Sequence, residues 1–230
     1  MRSFVVLIAA SLMSVSPVMA EKGFSPPKNG PVKVAFVISN NANLIDLAGA
    51  REVFSDATRP GSNDGAFELF TVSNTKQPIN VGGTKMIADY TFADAPKADI
   101  VSVGATTKQD GMYDYLRTRA ADGAVVMSVC TGAYKLAAAG LLDGKNATTH
   151  HDYFDDFHKN FPKVTLVKGS RYVQAGPRLF TAGGLTSGID LALHVVELYY
   201  GRAVAQKTAN YMEYTGTGWK KPDGASPLSD

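Results

Sequence analysis

Apolar residues fall along this chain in two rhythms. A continuous β-branched and apolar run at 32–38 (VKVAFVI) suits a strand buried on both faces of a parallel sheet, and 67–72, 99–103 and 124–129 (AVVMSV) are further strand candidates. Between them the spacing changes to that of helices. Leu47, Ala50, Val53, Phe54 and Ala57 share one face over 46–57. Helices are also predicted over 112–121, over the segment TGAYKLAAAGLL that Gly140 stops, and over 152–160. A further helix over 187–200 aligns Ile189, Leu191, Ala192, Val195, Val196 and Tyr199, with Ser187 as its cap, and another covers 202–214. Short strands are expected at 146–149, 164–167, 172–175 and 179–182. Strands that alternate with helices imply an α/β three-layer sandwich with a central, mostly parallel sheet.

The ends differ from the middle. Arg2, an apolar run over 4–12 and the small residues Val18 and Ala20 have the form of a secretory signal over 1–20, cut after Ala20. The run is too short to span a bilayer comfortably, and no other stretch does so. Export to a periplasmic or secreted location follows as an expectation, with no lasting membrane insertion. Residues 21–31 are a Pro-, Gly- and Lys-rich leader, 32–214 the domain, and 215–230 a Gly/Pro/Lys-rich tail expected to fray. Hydrophobic residues make up 45% and charged residues 19%, a globular balance. A net charge of +2 without a basic block argues against nucleic acid as a partner.

The chemistry concentrates at one residue. Cys130 is the lone cysteine, so it has no intrachain disulfide partner. It follows the apolar run 124–129 directly, in Ser128-Val129-Cys130-Thr131-Gly132. Small residues two before and two after a nucleophile, between strand and helix, describe a nucleophile elbow. The helix N-terminus behind such a turn favours thiolate, and the N–H of Thr131 faces the place where an anion would develop. Ligands of parallel sheets bind at strand carboxyl ends, which places Gly104 beside Cys130. Asp46, at the start of the first helix, is either a favourable helix-terminus charge or an acid that meets Cys130. Of four histidines, His194 lies in an apolar helix, His158 on an exposed face, and His150 and His151 end a short strand. A Cys130–His150 pair would follow thiol-hydrolase logic. A zinc site combining Cys, His and carboxylate finds no supporting ligand spacing, so neither a metal nor another cofactor is expected.

The segments NLIDLAGAREVF, SVCTGAYKLAAAGLLDGKNATTHH and TAGGLTSGIDLALHVVELYYGRAVAQKTANYMEY together resemble the ThiJ/PfpI superfamily, with its class I glutamine amidotransferase-like, flavodoxin-like fold. The resemblance spans about 32–214 and comes nearest to isonitrile hydratases and the sensor domains of AraC-type regulators. It implies a homodimer acting on a small molecule. It also implies that Asp46 hydrogen-bonds Cys130, that Thr131 follows the nucleophile as in isonitrile hydratases, and that His150 matches a family histidine. Two departures stand out. The loop after the third strand reads Val103-Gly104-Ala105-Thr106 where the family has Pro-Gly-Gly, leaving Gly104 or Ala105 as the candidate second oxyanion donor. His151 stands where an aromatic residue is usual. The stretch after Tyr214 is too short for a DNA-binding module. Three functions stay open: a cysteine-dependent, isonitrile hydratase-like lyase using Cys130, Asp46 and Thr131; a ligand-binding or cysteine-oxidation-responsive domain; and a thiol amidase or peptidase using His150.

Overall fold

A computed structural model describes residues 24–220. The proposed signal over 1–20 lies outside the described residues. No described helix is long and apolar enough to cross a membrane. In chain order the elements are β1 (Val32–Val37), α1 (Leu44–Asp56), β2 (Phe67–Ser73), β3 (Ile79–Val81), β4 (Thr84–Met86), β5 (Tyr90–Thr91) and β6 (Ile100–Val103). They continue with α2 (Met112–Ala121), β7 (Val125–Ser128), α3 (Gly132–Ala138), β8 (Asn146–Ala147), α4 (Phe154–Asn160) and β9 (Thr165–Leu166). The chain ends through β10 (Tyr172–Gly176), β11 (Leu179–Ala182), α5 (Ser187–Tyr200) and α6 (Arg202–Tyr211). Seven strands form one sheet in the order β10-β11-β7-β6-β1-β2-β5. All neighbours are parallel except β10 and β11.

The strand runs are apolar on both faces because both faces are covered. Val34, Phe36, Ile100, Val125, Met127 and Phe180 pack with residues of α1, α5 and α6. Their neighbours Ala35, Val37, Val101, Val103 and Val126 point the other way and pack with α2, α3 and α4. Each buried aliphatic side chain contributes about 1.5–3 kcal/mol relative to exposure.

Register decides where the site falls. Val37 pairs with Val103, Val103 with Ser128, and Ser128 with Thr181. The strands β1, β6, β7 and β11 therefore end level, and their following loops converge on one rim of the sheet.

Several details depart from the sequence expectations. Helix α1 begins at Leu44, capped by Asn43 Oδ1 on the Ile45 N–H at 3.1 Å, so Asp46 sits inside the first turn. Residues 146–149 and 164–167 shrink to β8 and β9, which pair with each other outside the main sheet. Ser187 is the first residue of α5 and Thr186 its cap position, with no side-chain cap bond. The hairpin of β3 and β4, closed by Gly82-Gly83, is an addition. So is β5, which adds a short edge to the sheet.

The tail expectation needs correcting over its first part. Trp219 is 1% exposed, and its backbone N–H donates to Asp190 Oδ1 at 3.0 Å. Asp190 Oδ2 accepts from the Tyr214 hydroxyl at 2.9 Å and from Arg171 Nε at 2.7 Å. A buried indole and a buried carboxylate thus hold residues 214–220 against α5. Residues 221–230 lie outside the described part.

Candidate functional site

Cys130 stands two residues past the level row of strand ends. Its φ is +58°, in the left-handed region that a residue with a side chain avoids. Its own backbone holds it there: the N–H donates to Gly183 O at 2.8 Å, and the carbonyl accepts from Thr149 Oγ1 at 2.9 Å. The elbow needs its small residue. A Cβ on Gly132 would stand 2.1 Å from Val103 O, a backbone atom that cannot swing aside. One on Gly188 would meet Val129 at 3.0 Å, so the glycine lets α5 close on the elbow.

The loop after β1 brings Asp46 to the same place. Asp46 is 1% exposed and lies close enough to the Cys130 thiol for each group to shift the other's ionisation. Its Oδ2 accepts from Ala105 N–H at 2.8 Å. Oδ1 is buried with no hydrogen-bond partner, which leaves it open to accept the thiol proton. Gly104 permits this approach, because a Cβ there would lie 2.6 Å from Asp46 Cβ. On its far side Asp46 borders a void of about 10 Å³, also lined by Ser102, Gly104 and Ala105. That is room for about one water.

Gly104 and Ala105 thus have a role different from the one expected. The Ala105 N–H is engaged by Asp46 and Gly104 is the space-maker, so they position the carboxylate. The second N–H at the sulfur comes from Leu185, in the loop after β11, alongside that of Thr131. Leu185 has φ +53°, and the TAGGLTSG sequence held no signal that a leucine would adopt it.

Electrostatics reverse the expected state of the thiol. Burial, together with the adjacent Asp46 charge, pushes Cys130 up to about 11, outweighing the N–H groups of Thr131 and Leu185. Burial likewise raises Asp46, against the opposing N–H of Ala105, the thiol and His150. The resting pair is a neutral thiol beside a carboxyl group reluctant to ionise. Two groups close enough to share a proton form one coupled unit, and α3, only seven residues long, does not overcome burial.

His150 lies on the same rim but is not among the groups that act on the thiol. Its Nδ1 accepts from the Asp152 N–H at 3.2 Å, which puts the proton of the neutral ring on Nε2. Gly184 makes room for the ring, since a Cβ there would stand 2.2 Å from His150 Cδ2. His150, His151, Ser170, Arg171 and Thr186 line a cavity of about 210 Å³ flanking the elbow. Arg171 is paired with buried Asp190 and also bonds Thr186 Oγ1 at 3.1 Å. The rim above Asp46 is apolar: Leu44, Ile45 and Leu185 are each more than a third exposed. The other two histidines stay away. His194 stacks on Tyr172, and His158 is exposed on α4.

The model of the DJ-1/PfpI family matches residues 32–198. The chain belongs to the DJ-1/PfpI family. Isonitrile hydratase of Pseudomonas putida is 31% identical over 190 residues, covering 80% of this chain and 78% of that protein. The HTH-type transcriptional regulator GbdR of Pseudomonas aeruginosa is 27% identical and covers 84% of this chain. Here the chain spans only 53% of the regulator's length. A ThiJ/PfpI family protein from Pseudomonas syringae superposes with a TM-score of 0.69 at 24% identity, over 88% of this chain and 81% of the other. Toxoplasma gondii DJ-1 in its oxidized form gives a TM-score of 0.66 at 20% identity, over 80% of this chain and all of the other. DJ-1/PfpI relatives therefore include both an enzyme and regulators.

Proposed function

We propose that this DJ-1/PfpI chain is a cysteine-dependent hydratase that converts a small isonitrile to an N-substituted formamide. The observation that carries it is the buried Cys130–Asp46 pair, a soft nucleophile in contact with one proton carrier. As Sγ bonds to the isonitrile carbon, Asp46 takes the thiol proton and returns it to that carbon, giving a thioimidate. Water adds to the same carbon, its protons pass to nitrogen and back to sulfur, and the carbon–sulfur bond breaks. The sum is isonitrile plus water to formamide, with Cys130 regenerated. A neutral resting thiol suits this sequence because its proton is the one the carbon requires. The N–H groups of Thr131 and Leu185 orient the sulfur, and the apolar rim of Leu44, Ile45 and Leu185 suits an uncharged substrate. The signal-like stretch over 1–20 supports placing the reaction outside the cytoplasm.

The amidase reading loses support, because the Nε2 proton leaves His150 no lone pair there to act as base. The oxidation-responsive reading keeps one observation in its favour: two N–H groups and a protonatable carboxyl surround the sulfur. The test is incubation of purified protein with an alkyl isonitrile, followed by proton NMR of the formyl group. Turnover that vanishes in Cys130→Ser and survives in His150→Ala is expected. No formamide at any pH would sink the hydratase reading.

A further inference from the structure

His150, His151 and Asp152 are consecutive in sequence, yet their side chains converge at the turn that leads into α4. Ligand atoms from all three lie within 4.8 Å of one another. His151 Nε2 is 3.1 Å from Asp152 Oδ1, and His150 Nδ1 is 3.8 Å from Asp152 Oδ2. Zinc bonds of about 2.0–2.1 Å to nitrogen and oxygen set the ligands about 3.3 Å apart in a tetrahedron. The two observed separations run to different carboxylate oxygens, one close to that value and one longer, so the side chains draw in by a fraction of an ångström to close on an ion. The two imidazoles are stacked, with centroids 4.5 Å apart and planes 22° from parallel. The His150 Nδ1 lone pair now accepts the Asp152 N–H at a long 3.2 Å, and an ion bound there replaces that bond.

We propose that His150, His151 and Asp152 form a binding site for a borderline divalent transition ion such as zinc, nickel or copper(II). Two imidazoles and one carboxylate form a donor set that suits these ions over magnesium or calcium. His150 is the anchored ligand, with a side chain 15% exposed, while His151 and Asp152 are 59% and 69% exposed and free to close on the ion. Both histidines line the cavity of about 210 Å³ beside the elbow, so a fourth position opens toward it for water or a polar group of a small molecule. Arg171 lines the same cavity, but its charge is offset by Asp190 and does not bar a cation. Cys130 is no part of the donor set, which separates this site from the zinc arrangement weighed from the sequence.

The inference is independent of the hydratase reading and is tested without turnover. Isothermal titration of the untagged chain with zinc chloride, with circular dichroism to verify folding, is run on wild type and on His151→Ala, Asp152→Asn, His158→Ala and Cys130→Ser. Expected are one equivalent of zinc in wild type and affinity at least tenfold lower in His151→Ala and Asp152→Asn. His158→Ala and Cys130→Ser should bind as wild type, and the zinc absorption edge should show a nitrogen and oxygen shell without sulfur. No saturable binding, full affinity in His151→Ala, or sulfur in the shell overturns the site.

Discussion

Replacing Asp46 by Asn separates two properties that a nucleophile elbow normally joins, the ease of forming thiolate and catalytic power. In the wild type, burial and the Asp46 charge lift the Cys130 thiol from the ordinary 9.0 to about 11. The rise corresponds to about 3 kcal/mol against ionisation. At pH 8 about one thiol in a thousand is then thiolate. Asparagine keeps an oxygen for the Ala105 N–H and removes the charge, so ionisation becomes easier while burial still opposes it. Each tenfold gain in thiolate, tempered by the lower nucleophilicity of a less basic sulfur, speeds alkylation about threefold. Iodoacetamide at pH 8 should therefore react faster with the variant. Hydration should move the other way and fall by about 10²–10⁴, because the proton carrier is gone. The assay pair is alkylation rate by intact mass and formamide production by NMR, on the same preparations. Slower or unchanged alkylation in Asp46→Asn would refute the electrostatic account of the pair.

The same carboxyl group sets a pH dependence of stability. Its folded-state value is raised by burial, so keeping it ionised costs stability above its ordinary 3.8. Asp46→Asn should have the higher thermal midpoint at pH 7 and lose that advantage as pH falls toward 4; an equal gap at both pH values contradicts this. Gly104→Ala drives a Cβ to 2.6 Å from Asp46 Cβ and should cost about 1–3 kcal/mol in urea unfolding, with loss of hydration; a neutral effect would mean the loop relaxes. Gly132→Ala, whose Cβ would stand 2.1 Å from Val103 O, should be more severe and yield little folded protein. Trp219→Ala should destabilise by about 3–5 kcal/mol in the same assay, whereas a frayed tail would give no change.

Much of the fold was legible because its signals are local and mutually consistent. The apolar runs at β1, β6 and β7 can be buried only under helices on both faces, and the helical stripes between them supply that cover. The elbow was legible for the same reason, since Gly132 is small where strand and helix must touch. The hairpin of β3 and β4 went unread although its Gly-Gly turn is a hairpin signal, because three-residue strands have little periodicity to show. Trp219 was hidden by its Gly-, Pro- and Lys-rich neighbours. Composition describes a segment's average, while the indole and the Asp190 carboxylate act as two specific contacts.

The sign of the Cys130 perturbation was not legible from the turn, and the reason reaches beyond this residue. The elbow supplies the N–H of Thr131, an influence that lowers the thiol and can be read from five residues. The opposing influences come from elsewhere: burial by the whole rim, and a charge from α1. That charge is itself held close by the missing Cβ of Gly104 and by the Ala105 N–H. Local sequence therefore reveals where the nucleophile stands, while its protonation state belongs to the convergence of four loops. The loop after β6 spends the Ala105 N–H on Asp46. Sulfur and carboxyl are thereby held together, with the carboxylate opposing the ionisation of the thiol, and that coupling is what Asp46→Asn would remove.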